Sequence, residues 1–125
     1  FLCALAMAVE QVKAFRVDNG FEPQRLATYR ADAFLLDGAG STPGGTGSAF
    51  AWERAVAAKH FGRVILAGGL TPENVGEAVR RVQPWAVDVA SGVELAPGKK
   101  DPDRIRQFIL AVREAEQALS SGERA

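Results

Sequence analysis

Two pairs of small residues carry the clearest chemical signal in this 125-residue sequence. Gly68 and Gly69 follow the apolar segment RVILA, and Ser91 and Gly92 come shortly after the apolar segment AVDV. Glycines at strand ends let backbone N–H groups approach an anion closely, and a short helix beginning at Ser91 or Gly92 would add its positive dipole end. The alternative is that each glycine only permits a tight turn. Because both pairs follow consecutive apolar segments, we favour a phosphate-binding site.

Two aspartates lie at comparable places and could donate a proton or contact a substrate. Asp37 ends the segment AFLLD and precedes a glycine-containing loop. Partial burial there would favour the protonated carboxyl group that a general acid needs, but a loop-start aspartate can equally accept hydrogen bonds from local backbone N–H groups. Asp88 stands between Val87 and Val89, so it must face a polar surface or a specific partner. Both are candidate site residues.

The elements that must position these residues are four apolar strands that alternate with helices. The predicted strands are 12–17, 33–36, 63–67 and 86–89, and the predicted helices are 23–29, 51–60, 72–82 and 102–119. Such alternation indicates parallel pairing with right-handed crossovers, because a parallel strand needs a long return connection. The predicted fold class is therefore α/β, in which function collects at the C-terminal ends of the strands. We expect Asp88 to point into the interior of a barrel.

Local signals mark two helix starts and the faces of the last helix. Thr71 and Asp101 each precede a proline, so each is a predicted N-cap with proline at the first helical position. The predicted buried face of the last helix, from its helical spacing, consists of Ile105, Phe108, Ile109 and Val112. Its predicted solvated face consists of Arg104, Arg106, Arg113 and Glu114.

Composition and charge restrict the partners of the chain. It is 47% hydrophobic and 24% charged, as in an ordinary soluble domain, and its 15 basic and 15 acidic side chains cancel. No basic stripe is concentrated for a nucleic-acid backbone, so we predict no nucleic-acid partner. The apolar run 1–9 lacks a basic leader and is too short for a bilayer, so we predict neither a signal peptide nor a membrane span. The single cysteine, Cys3, cannot form an internal disulfide, which fits a reducing, cytoplasmic location.

Taken together, the motifs closely resemble those of the phosphoribosylanthranilate isomerase family. The matching series is LLD (35–37), GGTG (44–47), LAGGLTPENV (66–75), PWAVDVASGVE (84–94) and PGKKD (97–101). Each piece is short, but their order and spacing are specific, and they extend over about residues 11–112. The resemblance implies an incomplete (β/α)₈ TIM barrel, with the strands of this chain corresponding to strands five to eight.

The resemblance also implies an activity in tryptophan biosynthesis. It is the Amadori rearrangement of N-(5′-phosphoribosyl)anthranilate to 1-(o-carboxyphenylamino)-1-deoxyribulose 5-phosphate, which needs no cofactor and no metal. By resemblance, Asp37 is the general acid that protonates the furanose oxygen, and Asp88 is a carboxylate that contacts the substrate. The implied phosphate site consists of Gly68, Gly69, Ser91 and Gly92. The implied glycine-rich loop consists of Gly44, Gly45, Thr46 and Gly47.

The family's general base, a cysteine in a C-G-I-T motif at the end of strand one, has no counterpart in this sequence. Cys3 lies in an apolar run and is predicted to be a buried packing thiol. We therefore expect residues 1–125 to be the C-terminal half of one barrel domain, with 1–9 the remnant of the preceding helix. Such a half is expected to be inactive alone and to unfold or associate through its open edges. Fusion or association with a neighbouring tryptophan-pathway enzyme is a further expectation.

Two other functions stay open. A non-catalytic, phosphate-binding half-barrel would keep the glycine loops and lack the proton-abstracting base. Another phosphosugar-processing barrel enzyme, such as a synthase or an epimerase, would share the phosphate loops, although LLD followed by GGTG argues against it.

Overall fold

The computed structural model of the chain describes residues 11–18, 20–38 and 47–122, with side chains of the last range described from residue 51. Four parallel strands form one sheet in the order β1 (Val12–Arg16), β2 (Ala33–Asp37), β3 (Arg63–Ala67) and β4 (Ala86–Val87). The α-helices are α1 (Gly47–Ala58), α2 (Val75–Val82) and α3 (Pro102–Gly122). Single 3₁₀ segments lie at Pro23–Thr28, Lys59–Phe61 and Ser91–Val93. A small antiparallel pair, β5 (Glu94–Ala96) and β6 (Lys99–Lys100), follows β4.

The predicted alternation of parallel strands and helices is confirmed, with changes at the boundaries. β2 extends to Asp37, and β4 has two residues where four were predicted. The Asp88 N–H still donates to the Leu66 carbonyl oxygen at 2.9 Å, so one ladder hydrogen bond continues beyond β4 before the chain turns. The first predicted helix is a 3₁₀ segment, and the pair β5–β6 was not predicted.

Thr71 and Asp101, the two residues predicted as N-caps, each accept a backbone N–H with the side chain. Asp101 Oδ1 accepts from the Asp103 N–H at 3.0 Å at the start of α3, as predicted for an N-cap. The helix boundary differs from the prediction for Thr71, because α2 begins at Val75 and residues 72–74 form a turn. Thr71 nevertheless makes the hydrogen bonds of an N-cap: its Oγ1 accepts from the Asn74 N–H at 3.3 Å, and its carbonyl oxygen accepts from the Val75 N–H at 3.0 Å.

One face of the sheet packs on the helices. Phe34, Leu36, Val64 and Leu66 are buried in a continuous core that includes Trp52 of α1. Side chains alternate between the two faces of a strand, so the half-buried residues between these core positions face the other side. The described strands form an open sheet, and β1 and β4 each have one edge that no described strand pairs. The α/β class with parallel strands is therefore confirmed, while a closed barrel is not seen in this part of the chain.

Helix α3 buries less of its apolar face than predicted. Phe108 is only 6% exposed, but Ile105 and Ile109 are 37% and 44% exposed. The physical reason is that α3 packs on α2 and on the 3₁₀ segment Ser91–Val93, while the edge strand β4 has only two residues, so no described strand covers this part of the face. The exposed part lines a groove of about 420 Å³ together with Val87. Among the described helices, none combines the length and the apolar character needed to cross a bilayer.

Several predictions fall on parts of the chain that the structure does not describe. The helix expected at 1–9, with Cys3, lies outside the described residues, and so do the loop residues Gly44, Gly45 and Thr46. Gly47 is the first residue of α1, so the structure places it where the predicted loop ends and the helix begins.

Candidate active site

The parallel register places two carboxylates in one row at the C-terminal ends of the strands. Arg16 pairs with Asp37, and Asp37 pairs with Ala67 across the next strand. Since β4 continues the register, Asp88 stands beside Ala67 in the same row. Neighbouring strands lie about 4.8 Å apart, so the Cα atoms of the two aspartates are about 10 Å apart. The small Ala67 side chain between them leaves space above the sheet.

Both aspartates line one cavity of about 190 Å³ together with the pairs Gly68–Gly69 and Ser91–Gly92. The cavity walls are Asp37, residues 67–70 and residues 88–92. Asp37 is half-buried, whereas Asp88 is exposed on the open face of the sheet and is not enclosed in a barrel. The valines on either side of Asp88 pack against the core, which turns its side chain to the opposite face. The structure thus brings together the six candidate residues Asp37, Gly68, Gly69, Asp88, Ser91 and Gly92.

The loop after β3 turns on two glycines with a left-handed backbone. The φ angle is +91° at Gly68 and +69° at Gly69, a region that residues with a side chain rarely adopt. Asn74 stabilises this turn, because its Nδ2 donates to the Gly69 carbonyl oxygen at 2.9 Å and its Oδ1 accepts from the Thr71 N–H at 2.8 Å. A tight turn therefore explains the conformation of both glycines, and anion binding would be an additional role.

The loop after β4 approaches the loop after β3 so closely that only glycine fits at position 92. A Cβ atom on Gly92 would lie 1.8 Å from the carbonyl oxygen of Leu70 and 2.9 Å from its carbonyl carbon. The predicted short helix exists as the three-residue 3₁₀ segment Ser91–Val93. One turn carries only a small dipole, so any anion binding here must come from individual N–H groups.

The hydrogen bonds of the two loops occupy carbonyl oxygens and leave N–H groups available. The Gly69 carbonyl oxygen accepts from Asn74 Nδ2 at 2.9 Å, and the Ala90 carbonyl oxygen accepts from Lys100 Nζ at 2.9 Å. The Gly92 carbonyl oxygen accepts from Arg104 Nε at 3.0 Å. Within the described ranges, no hydrogen bond uses the backbone N–H groups of Gly69, Ser91 or Gly92. In a trans peptide the C=O and the following N–H point in opposite directions, so the Ser91 N–H faces away from Lys100. Such unused donors at a loop are what a phosphate oxygen requires.

Lys100 has a role that sequence reasoning missed. Lys100 lies in β6, and its Nζ bonds to the Ala90 carbonyl oxygen as well as to Glu94 Oε2 of β5 at 2.9 Å. This hydrogen bond lowers the pKa of the Glu94 carboxyl below its usual value of 4.5. The available signal was the Pro97-Gly98 pair, which is typical of a turn; Gly98 has a φ of +78°.

Arg104 is a second missed residue, and its prediction as part of a solvated face is wrong. Its Nε donates to the Gly92 carbonyl oxygen at 3.0 Å, and its Nη2 donates to Glu73 Oε1 at 2.9 Å. The hydrogen bond from Arg104 lowers the pKa of the Glu73 carboxyl below its usual value of 4.5. No pattern in a single sequence distinguishes this arginine from an exposed one on the same helix.

The cavity therefore combines two kinds of chemical group. Backbone N–H donors of the glycine loops suit a phosphate group, and the carboxyl groups of Asp37 and Asp88 can exchange a proton or accept hydrogen bonds from hydroxyl groups. Because carboxylates repel phosphate, a phosphorylated ligand would place its phosphate against the loops and its sugar toward the aspartates. A parallel α/β fold with N–H donors at its strand ends is typical of proteins that bind phosphorylated small molecules.

Comparison with known proteins identifies the family. The sequence model of the family described as N-(5′-phosphoribosyl)anthranilate (PRA) isomerase matches residues 2–111, and the chain belongs to this family. A curated N-(5′-phosphoribosyl)anthranilate isomerase from Citrifermentans bemidjiense is 52% identical over 103 residues. That match covers 82% of this chain and 50% of the relative. The chain spans about half the length of the curated relatives it matches.

Solved structures agree with this assignment. The phosphoribosyl anthranilate isomerase from Thermotoga maritima is 38% identical with a TM-score of 0.68, over 90% of this chain and 56% of that one. A second structure is named as the same enzyme in complex with reduced 1-(o-carboxyphenylamino)-1-deoxyribulose 5-phosphate. It is 38% identical with a TM-score of 0.65, over 82% of this chain and 48% of that one.

Proposed function

We propose that this chain carries the phosphate site and the general acid of a phosphoribosylanthranilate isomerase of tryptophan biosynthesis. The observation that supports this most directly is the single cavity shared by Asp37, Asp88 and the two glycine loops. Support also comes from the family match and from the similar structure named as a complex with a reduced form of the product. The reaction would use no cofactor.

In the proposed reaction, Asp37 acts on the ribose ring while the loops hold its 5′-phosphate. The Asp37 carboxyl group protonates the ring oxygen, the bond from that oxygen to C1 breaks, and the lone pair of the anthranilate nitrogen forms a C1=N bond. A base then removes the proton at C2, which yields an enolamine that tautomerises to the ketone. Asp88, about 10 Å across the row from Asp37, would accept hydrogen bonds from sugar hydroxyl groups.

We propose that the four strands correspond to strands five to eight of a (β/α)₈ barrel and that residues 1–125 form the C-terminal half of one domain. The half-length match to the curated relatives and the unpaired edges of β1 and β4 among the described strands support this arrangement. In the family that this chain resembles, the general base comes from strand one. A cytoplasmic location and association with a neighbouring pathway enzyme stay predictions.

An isomerase assay on the chain alone, and on the chain co-expressed with the N-terminal half of the Citrifermentans bemidjiense relative, tests the proposal. We expect activity in the mixture, and we expect Asp37→Asn to lower kcat by about 10²- to 10⁴-fold because it removes the proton donor. Asp103→Asn, at an exposed position on α3, is the matched control and should retain activity. Full activity of the Asp37→Asn mixture would show that Asp37 is not the general acid.

The same assay tests two other expectations, namely that the isolated chain is inactive and that the chain is a non-catalytic phosphate-binding protein. Turnover by the chain alone would show that the expected inactivity is wrong, without affecting the assigned reaction. Phosphate binding with no turnover in any mixture would instead favour a non-catalytic phosphate-binding function. That alternative requires only the unused N–H groups of Gly69, Ser91 and Gly92 at the cavity.

A further inference from the structure

Arg104 connects three parts of the fold that are distant in the sequence. It is the third residue of α3, it bonds to Gly92 of the loop after β4, and it pairs with Glu73 of the turn after β3. The pairing with Glu73 is bidentate, with Nη2 at 2.9 Å from Oε1 and Nη1 at 3.4 Å from Oε2. The guanidinium group therefore spans the two loops whose N–H groups line the cavity.

We propose that Arg104 is a positioning residue that, with Glu73, sets the distance between the two phosphate-binding loops. This inference rests on the proposed function, because it assumes that the loops bind phosphate. Gly92 lies against the backbone of Leu70 and Thr71 in the other loop, a steric contact that prevents closer approach but not separation. The bonds of Arg104 to Gly92 and Glu73 supply a restraint against separation.

Only an arginine has the geometry for this bridge. Its planar guanidinium presents several donors in a fixed fork, so one side chain can bond a carbonyl oxygen through Nε and a carboxylate through its two terminal nitrogens. A lysine carries the same charge on a single flexible ammonium group. Replacement by lysine therefore removes the bridge and keeps the charge.

The charge of Arg104 offers a competing explanation, which predicts different results. If Arg104 acted by attracting the anion, Arg104→Lys would bind phosphate normally, and Glu73→Ala would bind it more tightly because a negative charge is removed. If Arg104 acts by holding the loops together, both substitutions weaken binding. The opposite sign expected for Glu73→Ala makes the two explanations distinguishable.

Inorganic phosphate titrated into the chain co-expressed with the N-terminal half of the Citrifermentans bemidjiense relative is the test, followed by NMR through the amide signals of Gly69, Ser91 and Gly92 of this chain. We expect wild-type protein to shift these signals, and Arg104→Lys and Glu73→Ala each to weaken the affinity about threefold to tenfold, the effect of one lost hydrogen bond. Thermal unfolding should change little, because the side chains of Arg104 and Glu73 are 31% and 65% exposed. Arg106→Lys, on the same helix and paired only with exposed Asp103, is the control and should bind like wild type.

Each outcome decides between the two proposals. Wild-type affinity in both variants, or tighter binding by Glu73→Ala, would overturn the positioning role and leave the phosphate site intact. Absence of amide shifts in the wild-type protein would overturn the phosphate site and the positioning role together. Weakened binding accompanied by a large fall in Tm would identify Arg104 as a general stability residue and would also overturn the proposal.

Discussion

The contact between Gly92 and Leu70 gives the sharpest prediction about the site. In Gly92→Ala the new methyl group would lie 1.8 Å from the Leu70 carbonyl oxygen, whereas a C···O contact requires about 3.3 Å. The loops must therefore separate by about 1.5 Å, because the obstacle is backbone and cannot rotate away. Such overpacking usually costs about 1–3 kcal/mol. The separation also stretches the bond from Arg104 to the Gly92 carbonyl oxygen beyond hydrogen-bond range.

Two measurements check this prediction. The Tm of Gly92→Ala, followed by circular dichroism, should fall by several degrees, and its affinity for inorganic phosphate should fall about tenfold or more, since N–H donors of both loops are displaced. Gly76→Ala is the matched control, because a Cβ there meets only the end of Arg80 at 3.4 Å and a backbone oxygen at 3.8 Å. Inside helix α2 that change should stabilise the protein by about 0.5–1 kcal/mol. Unchanged Tm and phosphate affinity in Gly92→Ala would show that the two loops are not in steric contact at this position.

Three further predictions concern other parts of the chain. Gly69→Ala should lower the free energy of unfolding by about 1–2 kcal/mol, because the backbone at position 69 has a φ of +69°. The variant should largely keep its phosphate affinity, since a Cβ at this position meets no atom within 4 Å. Loss of phosphate binding without loss of Tm would contradict this. Because Lys100 lowers the pKa of Glu94, the pair stabilises the fold above pH 4.5. The Tm advantage of wild type over Glu94→Gln should therefore disappear as the pH falls below that value, and a Tm advantage that persists or grows in acid would contradict this prediction. The isolated chain should associate through the exposed Val12 at one sheet edge and Ile109 near the other, and a single monomeric peak in size-exclusion chromatography at high concentration would show otherwise.

Sequence patterns were enough for the class of fold and for the position of most site residues along it. β2 and β3 are short apolar segments followed by polar or glycine residues, a pattern typical of buried parallel strands. The register then places Asp37 and Asp88 in one row, because parallel strands present their C-terminal ends at the same edge of a sheet. The exposed part of α3 was predicted less well, because helical spacing of Ile105 and Ile109 shows which face is apolar but not whether another element covers it.

Local patterns in the sequence establish the order of strands and helices, the strand-end position of Asp37 and the need for glycine in the turn at 68–69. These are local properties, since apolar periodicity and backbone conformation depend on neighbouring residues. In contrast, the contact of Gly92 with Leu70 and the bonds of Arg104 to Gly92 and Glu73 depend on how distant segments pack. The Arg104–Glu73 pair is separated by 31 positions in the chain. A charged residue on a helix surface has the same sequence pattern whether it faces water or a distant loop, so only the folded packing of α3 distinguishes the two.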